Sequence, residues 1–509
     1  MKFFLILLFA ATALANDGMN ILIGNDQSSL ATPIIKQQKQ LVLDDHFLVQ
    51  FYGNYMALRT MDRDFMDWAQ LFLDKKYTQA LKTSFSINVD NEEKNKLVKA
   101  SRLYLLYKLG LNQSFFNEWL SLSVQSSFLN SPLGIALDQI VGKNASHWFL
   151  KNNIYVTQMQ RKALSMLEAN NTLFNISAQA MFNLRSGLAG LKFIGKLPIK
   201  DPLRIKLADS AILSYARQGE LAKSAKILKE VYEPVLADEK DINKISAYYL
   251  TLARMLYQAR AFEASEYYYE LIPDEASQFL TARVEKLWIS MQDNDLSQVR
   301  GDMHTLSQQI FKDKFIPEIY LVSSMANLKT CQFNEVEKNF KTFVEVSKHF
   351  LTEIEENLNA KKPKIIDRDD FYLNYLARAN QKLMQETKSL EKGYQEFGFA
   401  QKQMSSHKNL QKLVMANHTL ELKRKWNNRK QLLSSTIRKM RFVKVEFLST
   451  MRRLKNELAQ IKHGDEIHLT SSALDKSDRV VFPYDGVLFG DELFNYASSL
   501  KNLCLRGRK

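Results

Sequence analysis

Cysteine, proline and glycine are all scarce in this chain: among 509 residues there are two cysteines, nine prolines and 17 glycines. Two distant cysteines, Cys331 and Cys504, cannot build a disulfide framework, and with no C-x-x-C there is neither a thiolate zinc site nor a thiol redox motif. Two separate thiols are expected, with a single bridge as the alternative. Glycine plus proline amounts to about 5% of the chain, where roughly 12% is usual. Sandwiches and barrels need turn residues every few positions, so an all-β fold is excluded. Beyond the first residues no run approaches the length of about 18 apolar residues that a membrane span requires.

The motifs of common catalytic sites are missing too. There is no G-x-S-x-G, no P-loop, no G-x-G-x-x-G and no H-E-x-x-H. The histidines are scattered, and only His463 and His468, with Asp465 and Glu466 between them, gather ligand types. A polar loop at a helix end accounts for that group. No catalytic residue, metal or cofactor is expected.

What is present is helix-forming sequence. Apolar residues make up 46% and charged residues 25%, the balance of a globular protein. Lys2, the apolar run from Phe3 to Ala10 and Ala13-Leu14-Ala15 have the layout of a secretory signal cleaved after Ala15, which predicts export. Further along, Leu221, Phe262, Leu296 and Phe333 each follow a short polar turn, at separations of 41, 34 and 37. Counting on by 3, 7 and 10 from each gives a small or apolar residue and then two bulky ones, for example Ser265, Tyr269 and Ile272. That spacing puts one face of a second helix against a first.

The segment with Tyr249, Leu252, Ala253, Phe262, Ser265 and Tyr269 resembles the tetratricopeptide repeat family in degenerate form, with Ser265 where that family usually has Ala. The segment Lys75 to Leu81 resembles another such turn and second helix. The resemblance implies an all-α helical-hairpin solenoid with a core that includes Phe333 and Phe340, and a groove for a protein partner. Such units must stack to bury their faces.

Residues 363–462 differ in kind. Trp426, Leu433, Met440, Phe447, Leu454 and Ile461 recur every seven residues, the seam of a coiled coil. Leu376, Leu383, Leu390, Phe397 and Met404 form an earlier series, out of phase by one residue. The offset predicts a turn near Ser405–Asn409 and an antiparallel pair of long helices, with one continuous rod as the alternative.

Between residues 423 and 455 there are twelve basic side chains against Glu446 alone, the densest part of a chain with net charge +15. Lys423, Arg424, Lys425, Arg438, Lys439, Arg441, Arg452, Arg453 and Lys455 are therefore a candidate surface for an anionic partner. Export removes nucleic acid from the expected partners and leaves anionic lipid or cell-wall polymer.

The tail, from Phe482-Pro483-Tyr484-Asp485-Gly486 through Asp491-Glu492 to Cys504, resembles the closing segment of helical-repeat envelope proteins of predatory and gliding bacteria. The organisation expected is a signal at 1–15, divergent helical hairpins at 16–200, tetratricopeptide-like repeats at 201–362, long basic helices forming a coiled coil at 363–462 and a turn-rich tail at 463–509. The function expected is a non-catalytic periplasmic or envelope scaffold. It would bind a protein partner through its groove and coil, and it could form a homo-oligomer through the coil. Binding of anionic envelope polymers or lipids by 423–455 is the alternative, and a cell-wall enzyme the weakest reading.

Overall fold

Six times among the described residues a helix ends in the same way just before the next one starts. The computed structural model describes residues 46–58, 62–87, 91–123, 128, 130–166, 172–236, 239–306, 311, 314–366, 370–461, 480–481 and 497–498. Within these, Lys75, Gly110, Gly219, Arg260, Asn294 and Cys331 take φ values of 55–78°. In every case the next N–H reaches back to a carbonyl five residues earlier, as in Lys76 to Leu71 (3.0 Å), Ala261 to Leu256 (2.9 Å) and Gln332 to Asn327 (2.8 Å). This is the Schellman arrangement, which satisfies carbonyls that a helix end leaves open. Only two of the six left-handed residues are glycine, so the other four turns form without it, at Lys75, Arg260, Asn294 and Cys331. The next helix begins two residues after each.

The helices run in order from α1 (46–58) through α2 (Arg63–Leu73), α3 (Tyr77–Ser86), α4 (Glu92–Lys108) and α5 (Asn112–Ser123). Next come α6 (Pro132–Gly142), α7 (Ala145–Asn152), α8 (Gln158–Met166), α9 (Leu173–Phe182) and the single turn α10 (Leu191–Ile194). The hairpins α11 (Pro202–Arg217) and α12 (Leu221–Ile227), α13 (Ile242–Gln258) and α14 (Phe262–Glu270), α15 (Phe279–Gln292) and α16 (Leu296–Leu306), and α17 (Glu318–Lys329) and α18 (Phe333–Asn359) follow. Leu221, Phe262, Leu296 and Phe333 are thus the first residues of second helices. Asp62, Asp201, Asp241 and Asp370 cap helix starts with side-chain oxygens.

The positions at +3 are buried in all four of these second helices: Ser224, Ser265, Val299 and Val336. The Ser224 hydroxyl donates to the Ile212 carbonyl (3.1 Å) and Ser265 to Ala253 (2.7 Å), each twelve residues back across its hairpin. Serine is accommodated there because its hydroxyl is hydrogen-bonded to the partner helix. Ala253 and Tyr269 are buried, while Tyr249, Leu252, Phe262, Phe333 and Phe340 are half-buried.

One core runs from Phe47 to Val414, and crosses residue 200 without a break. It is rich in rings: Phe47, Phe51, Phe65, Trp68, Phe72 and Tyr104 pack near the start, and Phe115, Phe116, Trp119, Trp148, Phe149 and Phe174 pack deeper in. Smaller clusters hold α13–α15 and α15–α17.

Two long helices complete the chain, α19 (Phe371–Tyr394) and α20 (Gly398–Ile461). They pack on each other as a pair, but the turn lies at Gln395–Phe397, and Ser405–Asn409 is the interior of α20. The expected turn is therefore ten residues too late. Leu376, Leu383 and Leu390 belong to α19, whereas Phe397 and Met404 lie beyond its end, so the series joined two helices whose phases are unrelated. Polar Ser405 to Asn409 looked like a turn, but His407 in that stretch is a buried polar group, as described below.

A second correction concerns the seam. Trp426 and Leu433 are buried against Phe350 and Ile354 of α18, and Met440 against Phe343 of α18 and Leu321 of α17. Phe447 is half-buried against Phe333 and Phe340. Leu454 is half-buried, and the side chain of Ile461 lies outside the described residues. At Trp426, Leu433, Met440 and Phe447 the seam is filled by α17 and α18 of the same chain.

A third correction is that Cys331 is disulfide-bonded, in a chain with one other cysteine. Cys504, the signal sequence and most of the tail lie outside the described residues. The described part of the tail is two short strands, Val480–Val481 and Ala497–Ser498, paired antiparallel. The second lies against α16. The fold is all-α.

Candidate functional site

Helix α20 is 64 residues long, roughly 96 Å at 1.5 Å per residue. Its first part is fastened by polar contacts. Gln403 donates to Glu118 (2.8 Å) and accepts from Asn117 (3.0 Å). His407 is fully buried, its Nε2 3.4 Å from the Ser114 hydroxyl and 3.6 Å from Glu386, and its Nδ1 3.5 Å from Thr387. Glu386, on α19, accepts the N–H groups of Gln113 (3.0 Å) and Ser114 (2.8 Å). It caps the start of α5 from a distant part of the chain, which suits the positive end of a helix.

Serine, histidine and glutamate together raise the question of a nucleophilic site. In such a relay the two ring nitrogens face different partners, one the nucleophile and one the acid. Here Nε2 faces both Ser114 and Glu386, and Ser114 is shut off from solvent. Burial pushes the His407 pKa down to about 4, so the ring is neutral near pH 7. Burial also raises the Glu386 pKa, against the lowering effect of hydrogen bonds from Ser114 and Gln113. These groups lock two layers of helices together. Sequence reading missed them because their partners lie as far as 293 residues apart.

The basic residues of α20 divide into two groups. Glu421 holds both Arg185 and Arg424, the latter at 2.8 Å. Burial disfavours the Glu421 carboxylate, but hydrogen bonds from Arg424 and Arg185 outweigh it and keep its pKa below the ordinary value. Lys425 pairs with Asp370 at 2.5 Å. Trp426 donates its indole N–H to the Lys364 carbonyl (3.0 Å), and Arg429 lies over the rings of Phe315 and Trp426. Lys439 lies over Trp288. Arg424, Lys425 and Lys439 therefore make contacts within the chain, although Arg424 and Lys439 remain exposed. Lys423 is half-buried.

Arg438, Arg441, Arg452, Arg453 and Lys455 are exposed, together with Lys430 and Lys444. Sequence analysis did not identify the apolar side chains among them. Phe442 is 74% exposed, Val445 66% and Leu448 54%. At about 100° per residue these three fall in one sector of about 120°, centred some 140° round the helix from the seam. Arg438, Arg441 and Arg452 fall in the same sector. The signal was there, as apolar residues three apart, but the stronger seven-residue seam masked it.

A second feature is a cavity of about 560 Å³ between α16, α17 and α18. Arg300, His304, Tyr320, Ser323, Lys338 and Asn339 are among its lining residues. Arg300 Nη1 is buried and has no hydrogen-bond partner. Leaving a donor of a charged group unpaired is costly, and such atoms call for an explanation. Asn339 and Ser323 bond to each other at 2.6 Å and form a polar wall. Lys338 is exposed and paired loosely with Glu335 at 3.9 Å. A larger cavity of about 910 Å³ lies between the N-terminal hairpins and α19, lined by Trp148, Phe371, Tyr375 and Arg378 among others.

Among the described residues no group of three or more His, Cys, Asp or Glu is placed to hold a metal ion, and no helix is long and apolar enough to cross a membrane. No family model, curated protein or solved structure matches this chain.

Proposed function

We propose that this chain is an exported, non-catalytic scaffold of tetratricopeptide-like hairpins, and that an acidic segment of a protein partner lies in the groove between α16, α17 and α18. The observation that carries the reading is the unpaired guanidinium nitrogen of Arg300 at that groove. Once the groove opens enough to admit it, a carboxylate of the partner would complete its hydrogen bonding, and a charge-assisted bond of this kind is among the strong ones. Export is supported by the Lys2 to Ala15 pattern and by the bonded state of Cys331, since disulfides persist in oxidising compartments. The tail's resemblance to envelope proteins points to the periplasm or the cell envelope. The α20 seam, filled from within the chain, acts as a spine for the hairpins in place of a docking helix.

Cross-linking of the intact protein in its native envelope, followed by identification of the captured chain, tests the reading. Arg300→Glu should abolish capture of that chain while the melting temperature holds. Capture that survives the charge reversal would remove the groove as the binding site. The outward face of α20 favours the anionic-surface alternative and is taken up next.

A further inference from the structure

The outward face of α20 combines two properties that neither a structural helix nor a simple polyanion binder needs. Its charge is one-sided: from 438 to 455 there are seven basic residues and one acid, Glu446. Its apolar side chains are large and in water, with Phe442, Val445 and Leu448 each more than half exposed. They alternate round the helix with Arg438, Arg441 and Arg452, all exposed. The opposite side of the same stretch is already packed, with Met440 on Phe343 and Phe447 on Phe333 and Phe340. The exposed sector is therefore held at a fixed orientation, and does not depend on the helix folding at a surface.

We propose that this sector docks the protein on an anionic lipid bilayer. Phe442, Val445 and Leu448 would enter the boundary between headgroups and acyl chains, while Arg438, Arg441 and Arg452 meet the lipid phosphates. Interfacial helices with basic and apolar residues bind by buried apolar area plus attraction to anionic lipid. A cell-wall polyanion or an acidic protein tail would satisfy the arginines and leave three bulky apolar groups in water. A bilayer satisfies both sets at once. Exposed apolar groups on a soluble protein mark an interaction site when they cluster, as these do. The groove lined by Arg300 takes no part in this.

The test uses the full chain and vesicles of phosphatidylcholine with or without phosphatidylglycerol, read by flotation. The intact protein should float with the anionic vesicles and stay behind with the neutral ones. Replacing Phe442, Val445 and Leu448 together with Ser should weaken binding by about tenfold or more, with the helix signal and melting temperature unchanged. Replacing Arg438, Arg441 and Arg452 with Gln should weaken it by a similar factor at low salt, and the difference should shrink as salt rises. Phe442→Trp should bring new quenching by brominated lipid that the parent lacks. Arg300→Glu should bind vesicles as the parent does, which separates this result from that of the groove. Failure of the parent to float, or flotation that the serine variant retains in full, would overturn the proposal. Equal binding of parent and serine variant to a soluble polyanion, without flotation, would assign the face to a polymer instead.

Discussion

The two halves of α20 carry the same kind of sequence, long, basic and without proline, yet they are held by different physics. From Gln403 to Lys425 the helix is fixed by named polar partners: Glu118, Ser114, Glu386, Arg185 and Asp370. From Trp426 to Phe447 it is fixed by an apolar seam on α17 and α18. In the first half Asp370 pairs with Lys425, and Glu421 of α20 itself holds Arg424 and Arg185. The second half has Glu446 as its one acid; Arg429 is half-buried over Phe315 and Trp426, while Lys430, Arg438, Arg441 and Lys444 are exposed. A basic run is thus not one feature; what each charge does depends on whether a carboxylate from a distant helix meets it.

The largest effect should come from the seam. Trp426→Ala or Leu433→Ala removes a buried side chain and is expected to destabilise by about 2–5 kcal/mol, with new protease cleavage within α20. Phe447→Ala, at a half-buried position, should fall nearer 1 kcal/mol. Equal losses at Leu433 and Phe447 in a denaturant titration would break the gradient of burial along the seam.

The polar half makes a prediction about pH. The folded-state pKa of His407 is depressed to about 4 from 6.5, so between these values the unfolded chain takes up a proton that the folded chain declines. Stability therefore falls as pH drops from about 6.5 toward 4, by at most about 3 kcal/mol at about 1.4 kcal/mol per unit. His407→Leu should flatten the dependence in that window. If parent and variant have the same slope in urea melts at several pH values, the polar anchor is not what the pH acts on.

Smaller still is the turn effect. Arg260 holds φ 60° in an exposed Schellman turn, a conformation that L-residues resist and glycine does not. Arg260→Gly should raise stability by roughly 0.5–1 kcal/mol, seen as a higher melting temperature. The same change at Lys75 tests the N-terminal hairpins in the same way. At the end of the scale, Gln at Arg438, Arg441 and Arg452 should leave the melting temperature within error, because exposed charges contribute at most about 1 kcal/mol each. A clear loss of stability would mean that this face is packed.

The helical class, the first residues of four second helices and the burial of Ser265 and Tyr269 were all readable locally. Each depends on a pattern within one hairpin: a polar turn, then apolar positions at +3, +7 and +10. The heptad seam was readable for the same reason, and its inner residues Trp426, Leu433 and Met440 are indeed buried. What faces the seam was not readable. A period of seven states that a helix packs on something, and the same pattern serves a second copy, a neighbouring helix or a distant hairpin equally well.

By itself, then, the sequence determined that the chain is helical, where four of its hairpins turn and where the seam of α20 runs, because these follow from side-chain spacing over a few turns. Tertiary structure alone decided that α18 fills the seam, that Glu386 caps α5 and that His407 is neutral. It also decided that Phe442, Val445 and Leu448 remain in water beside Arg438, Arg441 and Arg452. These facts depend on which surfaces meet across tens to hundreds of residues of chain. Burial, desolvation and charge pairing are properties of that meeting, and no local spacing encodes them.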